Sequence, residues 1–155
     1  TICDKFARSN AIKRASAHHD LAWLAAAFFG KGFSAYWLAD NDTARSHYQQ
    51  ALDIYRATGN RSGEADALQG LGNVARMQAD NDTARSHFQQ ALDIYRASGS
   101  RSGEAYALRG LGHVARVQDD NDTARSHFQQ ALDIWQSIGN PREVRWLEGR
   151  LRGLD

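Results

Sequence analysis

The sequence predicts an all-α solenoid built from antiparallel helix pairs, and two observations carry that expectation. The first is an internal repeat. Asp40-Asn41-Asp42-Thr43-Ala44-Arg45-Ser46-His47 returns as Asp80-Asn81-Asp82-Thr83-Ala84-Arg85-Ser86-His87, and again from Asp120, so the register is 40 residues. A period of this size marks a repeat array rather than an ordinary globular domain. The second is helical spacing of apolar residues within each copy: Ala67, Leu68, Leu71, Val74 and Ala75 in one half, Ala84, Phe88, Ala91, Leu92 and Tyr95 in the other. Residues at such offsets fall on one face of a helix.

Each unit therefore splits into two helices. The first spans about 61–78. Asn60 supplies a side-chain acceptor to the free amides of its first turn. Asn140 followed by Pro141 fits the same frame, because Pro suits the first helical position. By register, Asp20 and Ser100 cap the equivalent helices. The second helix spans about 81–97. Asp80 caps it, Asp82 lies near the positive end of its dipole, and Gly99 ends it. Tight turns make neighbours antiparallel. Gly72, Ala84 and Ala91 allow close approach, and Tyr48, Phe88 and Phe128 are large plugs between layers. The expected division is 1–19 as the helix of a degenerate unit, with Ala11-Ile12 at the place of Ala51-Leu52. Units follow at 20–59, 60–99 and 100–139, then a polar capping helix at 140–155.

The residues Leu71-Gly72, Ala84, Phe88 and Ala91, repeated as Leu111-Gly112, Ala124, Phe128 and Ala131, resemble the tetratricopeptide repeat family over roughly 20–139. The unit is 40 residues where the common one is 34, as in a longer-unit branch. The resemblance implies a right-handed superhelix whose concave face is lined by each unit's first helix. It also implies a protein-interaction module rather than an enzyme.

Composition narrows the partners. Nineteen basic against eighteen acidic residues give a formal charge of +1, which supplies no general pull toward nucleic acid or an anionic membrane. The single Cys3 excludes an internal disulfide and a cysteine zinc site. No secretory leader pattern is present, and a cytoplasmic location is expected. The apolar run 21–39 carries Lys31 at its centre and falls in repeat register, so it reads as a helix of the first unit rather than a membrane span. His47, His87 and His127 lie one unit apart, too far for one ion, and no nucleophile–base set is legible. No metal or cofactor is expected.

Units 40–79 and 80–119 differ at 48/88, 58/98, 60/100, 66/106, 69/109, 73/113, 77/117 and 79/119. Asp66/Tyr106, Gln69/Arg109, Asn73/His113 and Met77/Val117 are spaced by three, four and four residues and trace one helix face. In the family this stripe faces the concave groove. Arg76 and Arg116 extend it, and the first unit adds Ala26, Phe29, Phe33, Tyr36 and Trp37. The expected partner-binding residues are Phe29, Phe33, Tyr36, Trp37, Asp66, Gln69, Asn73, Arg76, Met77, Tyr106, Arg109, His113 and Arg116. Aromatic and Arg side chains are frequent interface anchors, and a peptide with apolar and acidic groups would suit them. Drift at tolerant sites is the competing explanation of the differences, and packing on the N-terminal helix that of the aromatic cluster. Family members that clamp a C-terminal carboxylate use Asn at the place of Asn73; Phe33 and His113 at the matching places point to a different peptide. Two other readings remain: self-assembly by end-to-end stacking, and a sensory segment of a larger bacterial regulator or enzyme.

Overall fold

A computed structural model describes the backbone of residues 2–154 and the side chains of residues 17 and 19–154. The described chain is helical throughout: α1 (Ile2–Trp37), α2 (Asn41–Thr58), α3 (Arg61–Met77), α4 (Asn81–Ser98), α5 (Arg101–Val117), α6 (Asn121–Ile138) and α7 (Pro141–Arg152). Each helix packs on the next in sequence. Successive first helices also approach closely, α1 with α3 and α3 with α5, whereas the backbones of α2, α4 and α6 stand farther apart and meet through long side chains, Arg56 with Gln90 and Arg96 with Gln130. The array therefore curves with its first helices on the inside.

Local chemistry sets the helix ends. Asp40, Asp80 and Asp120 accept from the amides of Thr43, Thr83 and Thr123 at 3.2, 3.2 and 3.1 Å. Hydrogen bonds from the same threonines' side chains and amides hold the three carboxyls below the ordinary carboxylate range. Gly59, Gly99 and Gly139 adopt left-handed φ of 69°, 72° and 80°, which ends each second helix and returns the following amide to a helix carbonyl. Asn60 and Asn140 cap through their side chains, at 2.9 and 3.3 Å. Ser100 occupies the equivalent place but makes no side-chain cap bond.

The N-terminal region departs from expectation. Asp20 caps no helix, because α1 runs through it as one 36-residue helix. The reason is the residue before it. Interior units carry left-handed glycine at 59, 99 and 139, whereas His19 stands at the matching place, where the same stop would carry a Cβ penalty of the kind that the turns at Ala39, Ala79 and Asp119 offset with a returning amide. The pairing of Ala11-Ile12 with Ala51-Leu52 lies outside the described side chains. The turns inside each unit carry no glycine: Ala39, Ala79 and Asp119 take φ of 59°, 58° and 60°. Each turn is tied by an amide returning to the preceding helix, such as Asp80 N–H to Ala75 O at 2.9 Å.

The core is a ladder of aromatic plugs and glycines. Phe88, fully buried on α4, lies between two first helices: a Cβ built at Gly72 of α3 would come 2.6 Å from its ring, and one at Gly110 of α5 would come 2.8 Å. Tyr48 of α2 sits likewise between Gly32 and Gly70, at 2.9 and 2.7 Å. Burial pushes the Tyr48 hydroxyl up to about 12. Phe128 presses on Gly112 and meets Trp146 of α7, with ring centres 6.2 Å apart. A second tie recurs in the units that begin at 60 and 100. Glu64 accepts from Arg56 at 3.1 Å and from Arg61 at 2.5 Å, and Glu104 does the same with Arg96 and Arg101.

Candidate partner-binding groove

The inner surface has an aromatic part and an Arg-rich part. The aromatic part lies on α1. Phe29 is half-buried and meets Tyr48 edge-on at 5.4 Å, so it is a packing residue as well as a lining one. Phe33 and Trp37 project outward, 51% and 71% exposed, and their rings meet edge-on at 6.0 Å. Tyr36 is half-buried and supports Trp37 from 5.9 Å.

On α3, Asp66 accepts a hydrogen bond from the Tyr95 hydroxyl at 2.7 Å. Burial raises the Asp66 carboxyl above its ordinary value, opposed by that hydrogen bond. Gln69 reaches across to the Tyr106 carbonyl at 3.5 Å, while its own Oε1 is buried without a hydrogen-bond partner. Asn73 and Arg76 are half-buried and Met77 is exposed. On α5, Tyr106 stands at the rim against Trp135, with ring centres 4.9 Å apart.

Arg109 is heavily engaged. It bonds Glu143 of α7 at 2.8 Å and lies over the rings of Tyr106 and Trp146 at 5.0 and 5.3 Å. Glu143 keeps only 12% of its side chain exposed, so the carboxylate end of this pair is shielded from water while Arg109 stays partly exposed. Arg150 lies on Trp146 at 5.0 Å. His113 packs edge-on to Phe128 at 5.6 Å and against Trp146 at 5.1 Å. Burial, reinforced by the guanidinium groups of Arg76, Arg150, Arg109 and Arg116, pushes His113 down to about 3. It is neutral at neutral pH, surrounded by four cations. Among the described residues, Arg76 and Arg116 make no hydrogen bond or ion pair of their own.

The expected residues therefore do not act as one uniform set. Phe33, Trp37, Arg76, Met77 and Arg116 are available to a partner, while Asp66, Arg109 and His113 already have neighbours within the chain. The expectation omitted Tyr95, Glu143, Trp146 and Arg150. Trp146 was within reach: one further step of 40 from Tyr106 lands on it. The outer identities Arg45/Arg85 and Gln49/Gln89 also acquire a structural reason. Arg45 of α2 donates to Gln78 at the end of α3 and Arg85 of α4 to Gln118 at the end of α5, joining the second helix of one unit to the first helix of the next. Gln49 and Gln89 hold Asp53 and Asp93 at 2.8 and 2.9 Å. Their constancy therefore does not by itself distinguish a selected inner face from drift.

Residues 23–97 match the family model described as Tetratricopeptide repeat. Over that stretch, 75 of the 155 residues, the chain matches the tetratricopeptide repeat family. Among solved structures, the repeat chain is similar to BtubC (BKLC) from P. vanneervenii, with a TM-score of 0.68 at 14% identity. That likeness covers 86% of this chain and 64% of the other and shows the shared fold. No curated protein matches the repeat chain. No described helix is long and apolar enough to cross a membrane.

Proposed function

We propose that the inner face of the array binds an extended or helical peptide segment carrying acidic groups and an apolar anchor. Tetratricopeptide repeats are generally protein-interaction modules, and the scaffold is typically non-catalytic. The observation that carries the finer reading is the convergence of Arg76, Arg109, Arg116 and Arg150 on His113, with Arg76 and Arg116 unpaired. Two unpaired guanidinium groups beside a neutral imidazole favour carboxylates, which Arg can grip with two parallel hydrogen bonds. Phe33 and Trp37, exposed on α1, offer apolar contact to the same segment.

Selection from a randomised peptide library tests the reading. The native chain should enrich sequences with Asp or Glu near an aromatic or aliphatic anchor. The double variant Arg76→Ala, Arg116→Ala should lose that enrichment while keeping its helicity, and the selected peptides should bind less tightly as salt rises. Equal recovery by both chains would remove the groove from consideration.

A further inference from the structure

First helices inside the array are covered by the second helix before them. On α3 and α5 the stripe Gly63/Gly103, Ala67/Ala107, Gly70/Gly110 and Val74/Val114 is buried this way. Tyr55 and Tyr95 lean on the first glycine pair, and Tyr48 and Phe88 on Gly70 and Gly110. The same register on α1 reads Trp23, Ala27, Gly30 and Ser34, and all four are exposed. A Cβ at Gly30 would meet nothing within 4 Å. Trp23 is 69% exposed and donates its indole N–H to His19 at 3.0 Å.

This stripe is altered in a specific way. Trp23 stands where interior units have a glycine, and α1 runs straight on through the place where a covering second helix would have to turn back. What it presents instead is a knob and a socket seven residues apart, two turns along one line of the helix. A helix with both on one line complements itself when a second copy runs antiparallel to it.

We propose that two copies of this chain pair antiparallel along α1, about a two-fold axis between Ala26 and Ala27, with each Trp23 ring seated on the Gly30 of the other copy. The small Ala26 and Ala27 face each other at the axis and allow close approach. Lys31 falls within a turn of Asp20 of the second copy, so the flank carries opposite charges. The contact reuses the chain's own interface device, an aromatic ring against helical glycine. It is isologous and closes at two copies. End-to-end stacking would instead set α1 against α7, pairing two first helices, whereas interior interfaces join a second helix to a first.

Light scattering with size exclusion, over a wide range of concentration, is the primary test. The expected mass rises from 17.2 kDa toward twice that value. Gly30→Leu fills the socket and should raise the dissociation constant by about tenfold to a hundredfold with helicity unchanged. Trp23→Ala should do the same. In a Cys3→Ser background, Ala27→Cys should give a disulfide-linked dimer. Ser34→Cys should not, because its two copies would lie roughly 22 Å apart along the axis. A monomer at every concentration would overturn the pairing. So would a dimer indifferent to Gly30→Leu, or one in which position 34 links as readily as position 27.

Discussion

Two chemically identical substitutions, Gly30→Ala and Gly72→Ala, should move stability in opposite directions. In a helix interior, replacing glycine by alanine gains about 0.5–1 kcal/mol, because the unfolded chain loses freedom. At Gly30 the new methyl meets nothing within 4 Å, so the whole gain should appear. At Gly72 the methyl would lie 2.6 Å from the Phe88 ring. That ring is fully buried, and the backbone of Gly110 closes its other face, so it has nowhere to retreat. Overpacking of this kind costs about 1–3 kcal/mol. The net expectation at Gly72 is a loss of roughly 0.5–2 kcal/mol, and a separation between the two variants of about 1–3 kcal/mol. Thermal unfolding followed by helicity, at dilutions where the chain is monomeric, should separate their midpoints by several degrees, at about 2–4 °C per kcal/mol. Phe88→Leu should relieve Gly72→Ala, visible as coupling in a double-mutant cycle. If both alanine variants shift the midpoint alike, or if Phe88→Leu leaves the cost of Gly72→Ala unchanged, the ring is not the tight spacer described.

Other measurements probe the groove and the caps. The depressed His113 has a sign that can be worked out: below pH 6.5 the unfolded chain takes up a proton that the folded chain refuses until about pH 3, so stability falls as pH drops through that window. The slope attributable to His113 is at most about 1.4 kcal/mol per pH unit. His113→Asn, which installs the residue found at Asn73, should flatten the stability profile between those pH values, and an unchanged slope would refute the assignment. His87 and His127 are lowered by burial and by Arg56 and Arg96, and they remain in both chains, so their contribution cancels in the comparison. Ser100→Asn should install the cap bond that Asn60 and Asn140 make and Ser100 lacks, raising stability by several tenths to about 1 kcal/mol. A midpoint that does not move would mean that the α5 amides are already satisfied by water.

Much of the architecture was legible because the repeat is copied with its punctuation. Glycine before an Asn cap, or a turn before an Asp cap, fixes the helix ends without tertiary information. Asp20 has the chemistry of a cap but lacks the glycine that precedes Asn60, Ser100 and Asn140. A cap satisfies amides that a stopped helix leaves free, but it does not stop the helix. The inner stripe was also legible, since helical geometry alone puts 66, 69, 73 and 77 on one face. What that geometry omits is the traffic between helices. Tyr95 reaches Asp66 from α4, and Glu143, Trp146 and Arg150 reach Arg109 and His113 from α7. Those partners depend on how far one helix lies from the next, which no single-helix pattern contains.

The Phe88 sandwich bears on that distance. One ring, rooted in an outer helix, touches the backbones of two inner helices at Gly72 and Gly110 and so acts as a shim between them. The thickness of the shim sets how far α3 stands from α5, and with it the bend of the array and the span between Arg76 and Arg116. A thinner side chain at 88 would tighten the bend and shorten that span without altering any residue that faces a ligand. The geometry of the inner face can thus be retuned from the far side of the molecule, and units that differ only in their plugs would present the same chemistry at different gauges.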